Sequence, residues 1–251
     1  MKLNSIGISD VGQRRKLNED SFLSDDELGL YVVADGVGGH AKGEVASSEA
    51  VEEVYGFVSQ GRTAIQNYLQ EPSEENLFAL RRLLEGAVQM ACYMVFGMAE
   101  LDPDRKGMST TISALLVTDG IAVVAQVGDS RVYRLRNGTA QQLTEDHTLI
   151  NYKLKHGLIS PEEAAAAPGK NVITRAVGHR DYVQVDTTEC DTMVGDRFLL
   201  CSDGLHGYLL EKEVSQLLGG KPIQDVAQHL VDLANERGGR DNITVLLVDA
   251  S

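Results

Sequence analysis

Basic side chains are scarce in this sequence, and so is cysteine. Lys and Arg number 23 against 37 Asp and Glu, so the formal net charge is −14 with histidine neutral. A nucleic-acid-binding domain needs a basic surface, so this balance excludes nucleic acid as the expected partner. The three cysteines, Cys92, Cys190 and Cys201, are far apart and form no CxxC pair. Their spacing predicts free thiols in a reducing cytosol rather than disulfides or a zinc site.

Long apolar runs are absent as well. No run approaches the ~20 residues that span a bilayer, and residues 1–5 lack the apolar segment of a signal peptide. We therefore expect a cytoplasmic protein with no membrane partner. With 251 residues, 43% of them hydrophobic and 24% charged, the chain has a globular composition and can bury one large core.

Short apolar runs rich in β-branched residues recur along the chain and predict strands. They lie at residues 30–34, 112–117, 121–127, 132–135, 198–201 and 243–248. A glycine-containing turn at residues 118–120 separates two of these runs, and another at 136–138 closes a third. Such turns favour hairpins and antiparallel pairing.

Apolar residues spaced three or four apart predict three helices, over residues 46–57, 77–95 and 223–234. Ser73 followed by two glutamates, and Pro222, are helix-start signals. A capping box at residues 160–163 predicts a short helix inside the loop-like stretch 146–180. No repeat, linker or change in composition divides the chain. We therefore predict one α+β domain, residues 1–251, with antiparallel strands and flanking helices.

Four aspartates stand beside the predicted strands. Asp35, Asp129 and Asp203 follow strands, and Asp241 precedes the last one. An aspartate next to a glycine is usually a turn former when it is considered alone. Four of them at strand ends favour a cluster of carboxylates at the edges of the sheets.

Converging carboxylates require cations. Two unit charges ~4 Å apart repel each other by about 4 kcal/mol at an effective dielectric constant of about 20. Carboxylates together with a backbone carbonyl suit Mg²⁺ or Mn²⁺, whereas the cysteine and histidine spacing does not suit zinc. The pattern predicts a metal-assisted hydrolase.

A basic group near the N-terminus supplies the complementary part. Arg14, Arg15 and Lys16 are consecutive in an otherwise acidic protein, and they precede Glu19 and Asp20. A guanidinium group binds phosphate through two parallel hydrogen bonds. A solvated charge run is the simpler interpretation of these residues alone, but beside a metal site they favour a phosphate clamp.

Six sequence blocks together resemble a known family. They lie, in order, at residues 9–20, 33–44, 107–111, 128–131, 202–205 and 239–242. They are similar to the motifs of the metal-dependent type 2C (PPM) Ser/Thr protein phosphatases in their compact bacterial form. The resemblance covers nearly the whole chain. It implies a four-layer αββα sandwich in which two antiparallel sheets pack between pairs of helices.

The resemblance also implies a set of ligands for two tightly bound Mn²⁺ or Mg²⁺ ions. Asp35 matches the residue that bridges both ions, and Gly36 matches the residue whose carbonyl binds one of them. Asp203 and Asp241 match the ligands of the other ion. Asp20 and Glu19 match residues that act through metal-bound waters.

Two further roles follow from the same resemblance. Arg15 lies five residues before Asp20 and so matches the arginine that binds the substrate phosphate, whereas Arg14 is one residue out of register. Asp129, together with Asp203, matches the ligands of a third, weaker metal in bacterial members.

The implied activity is hydrolysis of phosphoserine and phosphothreonine in proteins. Two divalent ions lower the pKa of a bridging water, and the resulting hydroxide attacks phosphorus without a covalent intermediate. Asp35 and Arg15 are then the residues expected at the chemical step. The implied partners are phosphorylated proteins and an opposing Ser/Thr kinase, and we expect a monomer.

The sequence departs from the family pattern at Val37, close to His40. Val37 stands where eukaryotic relatives carry a histidine proposed as general acid, and His40 is either a structural residue at a helix start or a catalytic one. Residues 146–180 correspond to the mobile flap of bacterial members. For His147 and His156 in this segment, a surface role is the expectation.

Other functions fit parts of the sequence less well. Residues 36–41 match a dinucleotide-binding glycine pattern, but Asp35 would repel a pyrophosphate and antiparallel hairpins do not build the required parallel sheet. Lys42 and Gly43 reverse the Gly-Lys order of a P-loop. A catalytically weak phosphatase-like module that binds partners stays open as the alternative, although all four strand-end aspartates are present.

Overall fold

The structure is a computed structural model that describes residues 1–37, 42–167, 169 and 172–251. Within these residues it has eleven strands: β1 (Leu3–Asp10), β2 (Asp20–Asp25), β3 (Leu30–Val37), β4 (Ser109–Thr110), β5 (Ile112–Val117), β6 (Ile121–Val127), β7 (Arg131–Arg136), β8 (Thr139–Gln142), β9 (Asp186–Asp191), β10 (Arg197–Cys201) and β11 (Ile243–Ala250). Its α-helices are α1 (Gly43–Gln60), α2 (Thr63–Gln70), α3 (Glu74–Leu101), α4 (Leu149–Lys155), α5 (Pro161–Ala166), α6 (Asp203–His206), α7 (Glu211–Leu218) and α8 (Ile223–Glu236).

The strands form two sheets with antiparallel pairing throughout the named strands. One sheet has the order β1-β11-β10-β7-β8, and the other has the order β2-β3-β5-β6-β9, with β4 paired to β3. The turn at residues 118–120 joins β5 to β6, and the turn at 136–138 joins β7 to β8. Both predicted hairpins are therefore confirmed.

Successive side chains of β3 point alternately into two different cores, which hold the layers together. Leu30, Val32 and Ala34 point to a core formed with α1 and α3, whereas Tyr31 and Val33 point to a core between the two sheets. All five side chains are fully buried. A strand with period-2 alternation can bury both faces only when each face is covered, so β3 lies in an inner layer.

The other sheet repeats this arrangement. Leu199 and Leu247 pack against α7 and α8, while Leu200 and Leu246 fill the core between the sheets. Each sheet is thus covered by helices on its outer face and by the other sheet on its inner face. The predicted α+β class and four-layer αββα sandwich are confirmed.

The helices follow their sequence signals. Ser73 caps α3, and its side chain accepts a hydrogen bond from the Asn76 amide. The capping box at Ser160 and Glu163 is present and starts α5. Within the described ranges, no helix combines the length and the apolar character that crossing a bilayer requires.

Nine of the named elements were not predicted from the sequence. They are the strands β1, β2, β4, β8 and β9 and the helices α2, α4, α6 and α7. Four of these strands, β1, β2, β8 and β9, are the outer strands of the two sheets. Edge strands are exposed along one side and on part of their faces, so they carry polar residues and lack the apolar runs by which strands are predicted.

The core between the sheets should contribute strongly to stability. Leu200→Ala removes a fully buried side chain from this core, so we expect it to lower the free energy of unfolding by about 2–5 kcal/mol. Leu101→Ala is the control, because Leu101 is 88% exposed, and we expect a change below about 0.5 kcal/mol. Denaturant unfolding measures both. Equal effects of the two substitutions would contradict this account of the core.

Candidate active site

The register of one hairpin brings the first two aspartates together. Asp20 is the first residue of β2, and it lies directly opposite Asp35 on β3. The backbone of Asp35 is fixed by Thr111, whose hydroxyl accepts from the Asp35 amide (3.0 Å) and whose amide donates to the Asp35 carbonyl (2.9 Å). Asp35 lies inside β3, two residues before the end of the strand, rather than just after it as the sequence indicated.

The second sheet contributes two more aspartates. Asp203 begins α6 directly after β10, and Asp241 lies just before β11. Gly204 permits their approach, because a Cβ atom at this position would lie 1.9 Å from the Asn242 carbonyl oxygen. The backbone after Asp203 therefore touches the backbone after Asp241, and any larger residue at 204 would separate the two.

Asp35 and Asp203 belong to one set of buried carboxyl groups that repel each other. Burial, followed by repulsion from Asp20 and Asp203, raises the pKa of Asp35 well above its usual range. Burial and repulsion from Asp241 raise the pKa of Asp203 to about 6. Because both groups are disfavoured as anions, positive charge is strongly favoured at this place.

Asp20 has one satisfied oxygen and one unsatisfied oxygen. Its Oδ2 accepts from the hydroxyls of Ser202 (2.7 Å) and Thr244 (2.6 Å). Its Oδ1 is buried and has no hydrogen-bond partner among the described residues. Burial raises the pKa of Asp20 to about 6, although the two hydroxyls oppose this shift. An unpaired buried carboxylate oxygen is costly, and a cation or a water bound to a cation would satisfy it.

Asp129 lies at the turn between β6 and β7 and is 6% exposed. Burial, with repulsion from Asp203 and Asp146, raises its pKa to about 7. Its carbonyl accepts from Nε2 of His206 (2.8 Å). Burial lowers the pKa of His206 to about 4, so this imidazole is neutral near pH 7 and acts as a hydrogen-bond donor.

Arg15 lies on the N-terminal loop and forms ion pairs with two of the clustered carboxylates. Its guanidinium is 2.7 Å from the Asp241 carboxylate and 3.9 Å from that of Glu19. The side chain stays 43% exposed, so it can reach a ligand from solvent. Arg14 is exposed and takes part in no ion pair among the described residues. Of the two candidate arginines, Arg15 is therefore the one that lies beside the aspartates.

Glu19 and Gly36 lie where the first helix meets β3. The Glu19 carbonyl accepts from the Gly36 amide (3.0 Å) and from the Ser47 hydroxyl of α1 (2.6 Å). A Cβ atom at Gly36 would be 2.3 Å from the Gly43 carbonyl oxygen, so only glycine fits there. This close approach brings the backbone of β3 and the Glu19 side chain to the start of α1.

Asn242 is a positioning residue that the sequence reasoning missed. Its amide group donates to the carbonyls of Val11 (3.0 Å) and Leu17 (3.0 Å), and its Oδ1 accepts from the Glu19 amide (2.9 Å). The residue is 3% exposed. One buried side chain thus holds both ends of the loop that carries Arg15. Its signal in the sequence was only a polar residue beside Asp241, which resembles a turn.

The expectation that His147 lies at the surface is wrong. His147 is 6% exposed, its Nδ1 accepts from the Gly128 amide (3.1 Å), and its Nε2 lies 3.0 Å from Asp186. Burial lowers its pKa. A hydrophilic context in sequence does not reveal a buried polar residue whose partners come from distant segments. His156 is exposed, as expected, and His40 lies outside the described residues.

The residues present fit divalent cations. The described residues contain no group of three His, Cys, Asp or Glu side chains whose ligand atoms are already arranged around one ion. Instead, burial and mutual repulsion raise the pKa values of Asp35 and Asp203, and Oδ1 of Asp20 lacks a partner among the described residues. A centre of carboxylates with raised pKa values is stabilised by positive charge, and carboxylate oxygens are the preferred ligands of Mg²⁺ and Mn²⁺.

The four-layer sandwich with an acidic centre at one end of its sheets defines the class of the protein, that of the PPM-type phosphatases. Residues 12–247 match the family Protein phosphatase 2C. The serine/threonine phosphatase stp of Listeria welshimeri is 39% identical over 245 residues, which cover 96% of this chain and 93% of that protein. The chain belongs to the protein phosphatase 2C family, and the resemblance indicated by its motifs is confirmed.

Solved structures agree with this assignment. The serine/threonine phosphatase PstP of Mycobacterium tuberculosis superimposes with a TM-score of 0.88 at 33% identity, and 100% of each chain is covered. The catalytic domain of PstP in complex with two manganese ions gives a TM-score of 0.83 at 33% identity, covering 99% of this chain and 98% of that one. These relatives are Ser/Thr protein phosphatases.

Charge repulsion among the aspartates should lower the stability of the metal-free protein. Asp35→Asn keeps the shape of the side chain and removes the carboxyl group that burial and four neighbouring aspartates disfavour as an anion. We expect the free energy of unfolding of the metal-free protein above neutral pH to rise by roughly 1 kcal/mol, the usual size of a single-residue effect. Denaturant unfolding in the presence of a chelator measures it. Asp181→Asn, at an exposed position, is the control and should change little. A loss of stability in Asp35→Asn would contradict the repulsion.

Proposed function

We propose that this protein hydrolyses phosphoserine and phosphothreonine in proteins in a reaction that depends on divalent metal ions. The observation that carries the proposal is the convergence of the aspartates. Asp20 lies opposite Asp35 across two paired strands, Gly204 lets the segments of Asp203 and Asp241 touch, and Oδ1 of Asp20 is buried with no partner among the described residues. Family membership supports the reaction type, and the manganese-bound relative supports a metal requirement.

The resemblance to the family supports an assignment of the residues that would hold two Mn²⁺ or Mg²⁺ ions. They are Asp35, Asp203 and Asp241, together with the Gly36 carbonyl. When bound, such ions supply an activated water and neutralise charge on the phosphoryl oxygens. A third, weaker ion is assigned to Asp129 together with Asp203.

The chain's own groups have distinct tasks in this proposal. Arg15 binds the substrate phosphate through charge-assisted hydrogen bonds, because its exposed guanidinium lies 2.7 Å from the Asp241 carboxylate. Asp20 and Glu19 would orient waters at the ions, and the unpaired Oδ1 of Asp20 is an acceptor available for this role. Ser202 and Thr244 fix the Asp20 carboxyl by donating to its other oxygen.

The proposal extends to organisation and partners. We assign residues 1–251 to a single phosphatase domain, with a flap at about residues 146–180 that contains α4 and α5. Its substrates are proteins phosphorylated by a Ser/Thr kinase, whose action the enzyme reverses in the cytoplasm as a monomer.

Metal dependence is the first test. The purified protein should hydrolyse p-nitrophenyl phosphate and a phosphothreonine peptide with Mn²⁺, and EDTA should abolish the activity until Mn²⁺ is restored. Asp35→Asn should lower the rate by at least about a thousandfold, because several kcal/mol of transition-state stabilisation depend on the ions. Circular dichroism confirms that the variant is folded. Activity that resists EDTA, or a fully inactive wild type that still binds phosphoproteins, would contradict the proposal and favour a binding module.

Phosphate binding by Arg15 is the second test. Arg15→Ala should raise KM for a phosphopeptide by about tenfold or more, which corresponds to the loss of a hydrogen bond to a charged group. Arg14→Ala is the matched control and should leave KM near the wild-type value. The opposite ranking of the two arginines would show that the register of this loop is wrong.

A double-mutant cycle tests how Asn242 acts. If Asn242 works by holding the loop that carries Arg15, Asn242→Ala should raise KM in the wild-type background and have little further effect in the Arg15→Ala background. Equal effects in both backgrounds would show that Asn242 stabilises the fold without positioning Arg15.

A further inference from the structure

A cavity of about 440 Å³ opens beside the acidic centre. Asp129 and Asp203 form one of its walls, and α4 of the proposed flap forms another. Its volume lies in the range of about 300–1,000 Å³ that is typical of ligand pockets. Because two of its wall residues belong to the acidic centre, the cavity adjoins the place where a ligand at the aspartates would lie.

One side of the cavity is apolar. Ile150 and Leu154 come from α4, and Leu209 comes from the turn after α6. All three are only partly buried, so each still has apolar surface to cover. Leu209 packs on the core under α8, which gives this side of the cavity a rigid floor.

Next to the carboxyl groups of Asp129 and Asp203, the polar side chains of the cavity are already engaged in hydrogen bonds. Arg131 binds Asp146 through Nε (2.8 Å) and Nη2 (2.6 Å), and it also donates to the Tyr133 hydroxyl (2.9 Å). The Asn151 side chain donates to the Asp146 carbonyl (2.8 Å), and the Asn151 backbone amide donates to the Thr148 hydroxyl (3.2 Å). A charged ligand group would lose its hydration here and would have to break these contacts to find a partner.

We propose that this cavity is a specificity pocket that binds an aliphatic side chain next to the phosphorylated residue of the substrate. The inference rests on the proposed phosphatase function and adds the substrate class, phosphopeptides with a Leu-, Ile- or Val-like neighbour. Continuity with the aspartate centre determines that the occupant is attached to the phosphoresidue. The apolar side of the cavity and the pairing of Arg131 with Asp146 beside it determine that the occupant of this side is aliphatic.

A panel of phosphothreonine peptides tests the pocket. In an alanine background, leucine, lysine or aspartate is placed in turn at each position flanking the phosphothreonine, and kcat/KM is measured with Mn²⁺. We expect leucine to raise kcat/KM by about tenfold at one or two neighbouring positions, the usual effect of filling an apolar pocket. Lysine and aspartate at those positions should not raise it.

Two leucines of the same segment provide the matched variants. Leu154→Ala removes part of the apolar wall, and the ratio of kcat/KM between the leucine and alanine peptides should fall toward one. Leu158→Ala is the control, because Leu158 is 64% exposed and lies outside the cavity, so its ratio should equal that of the wild type. Melting temperatures of both variants show whether either substitution disturbs the fold.

The outcomes separate this inference from the proposed function. If the protein shows no Mn²⁺-dependent hydrolysis of p-nitrophenyl phosphate, the proposed function fails first. If it hydrolyses that compound but treats leucine, lysine and aspartate peptides alike, the pocket assignment is wrong and the phosphatase function stands. A preference for lysine, or a leucine preference that Leu154→Ala leaves unchanged, would likewise overturn the pocket.

Discussion

Repulsion among the aspartates is the constraint on which this structure depends. Asp35 and Asp20 come from one sheet and Asp203 and Asp241 from the other, so the two sheets must pack rigidly enough to hold like charges together. Three separate apolar cores supply that rigidity, one between the sheets and one beneath each helical layer. The cost of this arrangement appears as the raised pKa values of the aspartates. A centre that is unfavourable by itself is thereby prepared for cations.

The N-terminal loop depends on the far end of the chain. Asn242, just before the last strand, binds the loop through three backbone groups, and Asp241 binds Arg15. The same short segment therefore contributes a carboxylate to the centre and orients the cation that faces it. This arrangement links phosphate binding to the aspartates, because neither Arg15 nor Asp241 can move without the other being affected.

The segment between β8 and β9 is fastened to the same region by a second set of contacts. Asp146 pairs with Arg131, and His147 connects the Gly128 amide to Asp186. These contacts hold the residues just before α4, so they fix the position of the start of this helix beside the cavity. In our proposal the aspartates carry out the chemistry on any phosphomonoester, while the side chains of α4 discriminate among peptides. The two properties can then vary separately.

By itself the sequence determined the inner strands, the long helices and the family of the protein. Uninterrupted apolar runs, helical spacing and capping residues are local signals, and the strand-end aspartates stand next to them in the chain. The tertiary structure alone decided the rest. The outer strands β1, β2, β8 and β9 are recognisable only by their pairing, since edge strands lack an apolar run. The burial of His147 and the three hydrogen bonds of Asn242 involve partners far away in sequence, and a buried polar residue is defined by such partners rather than by its neighbours in the chain.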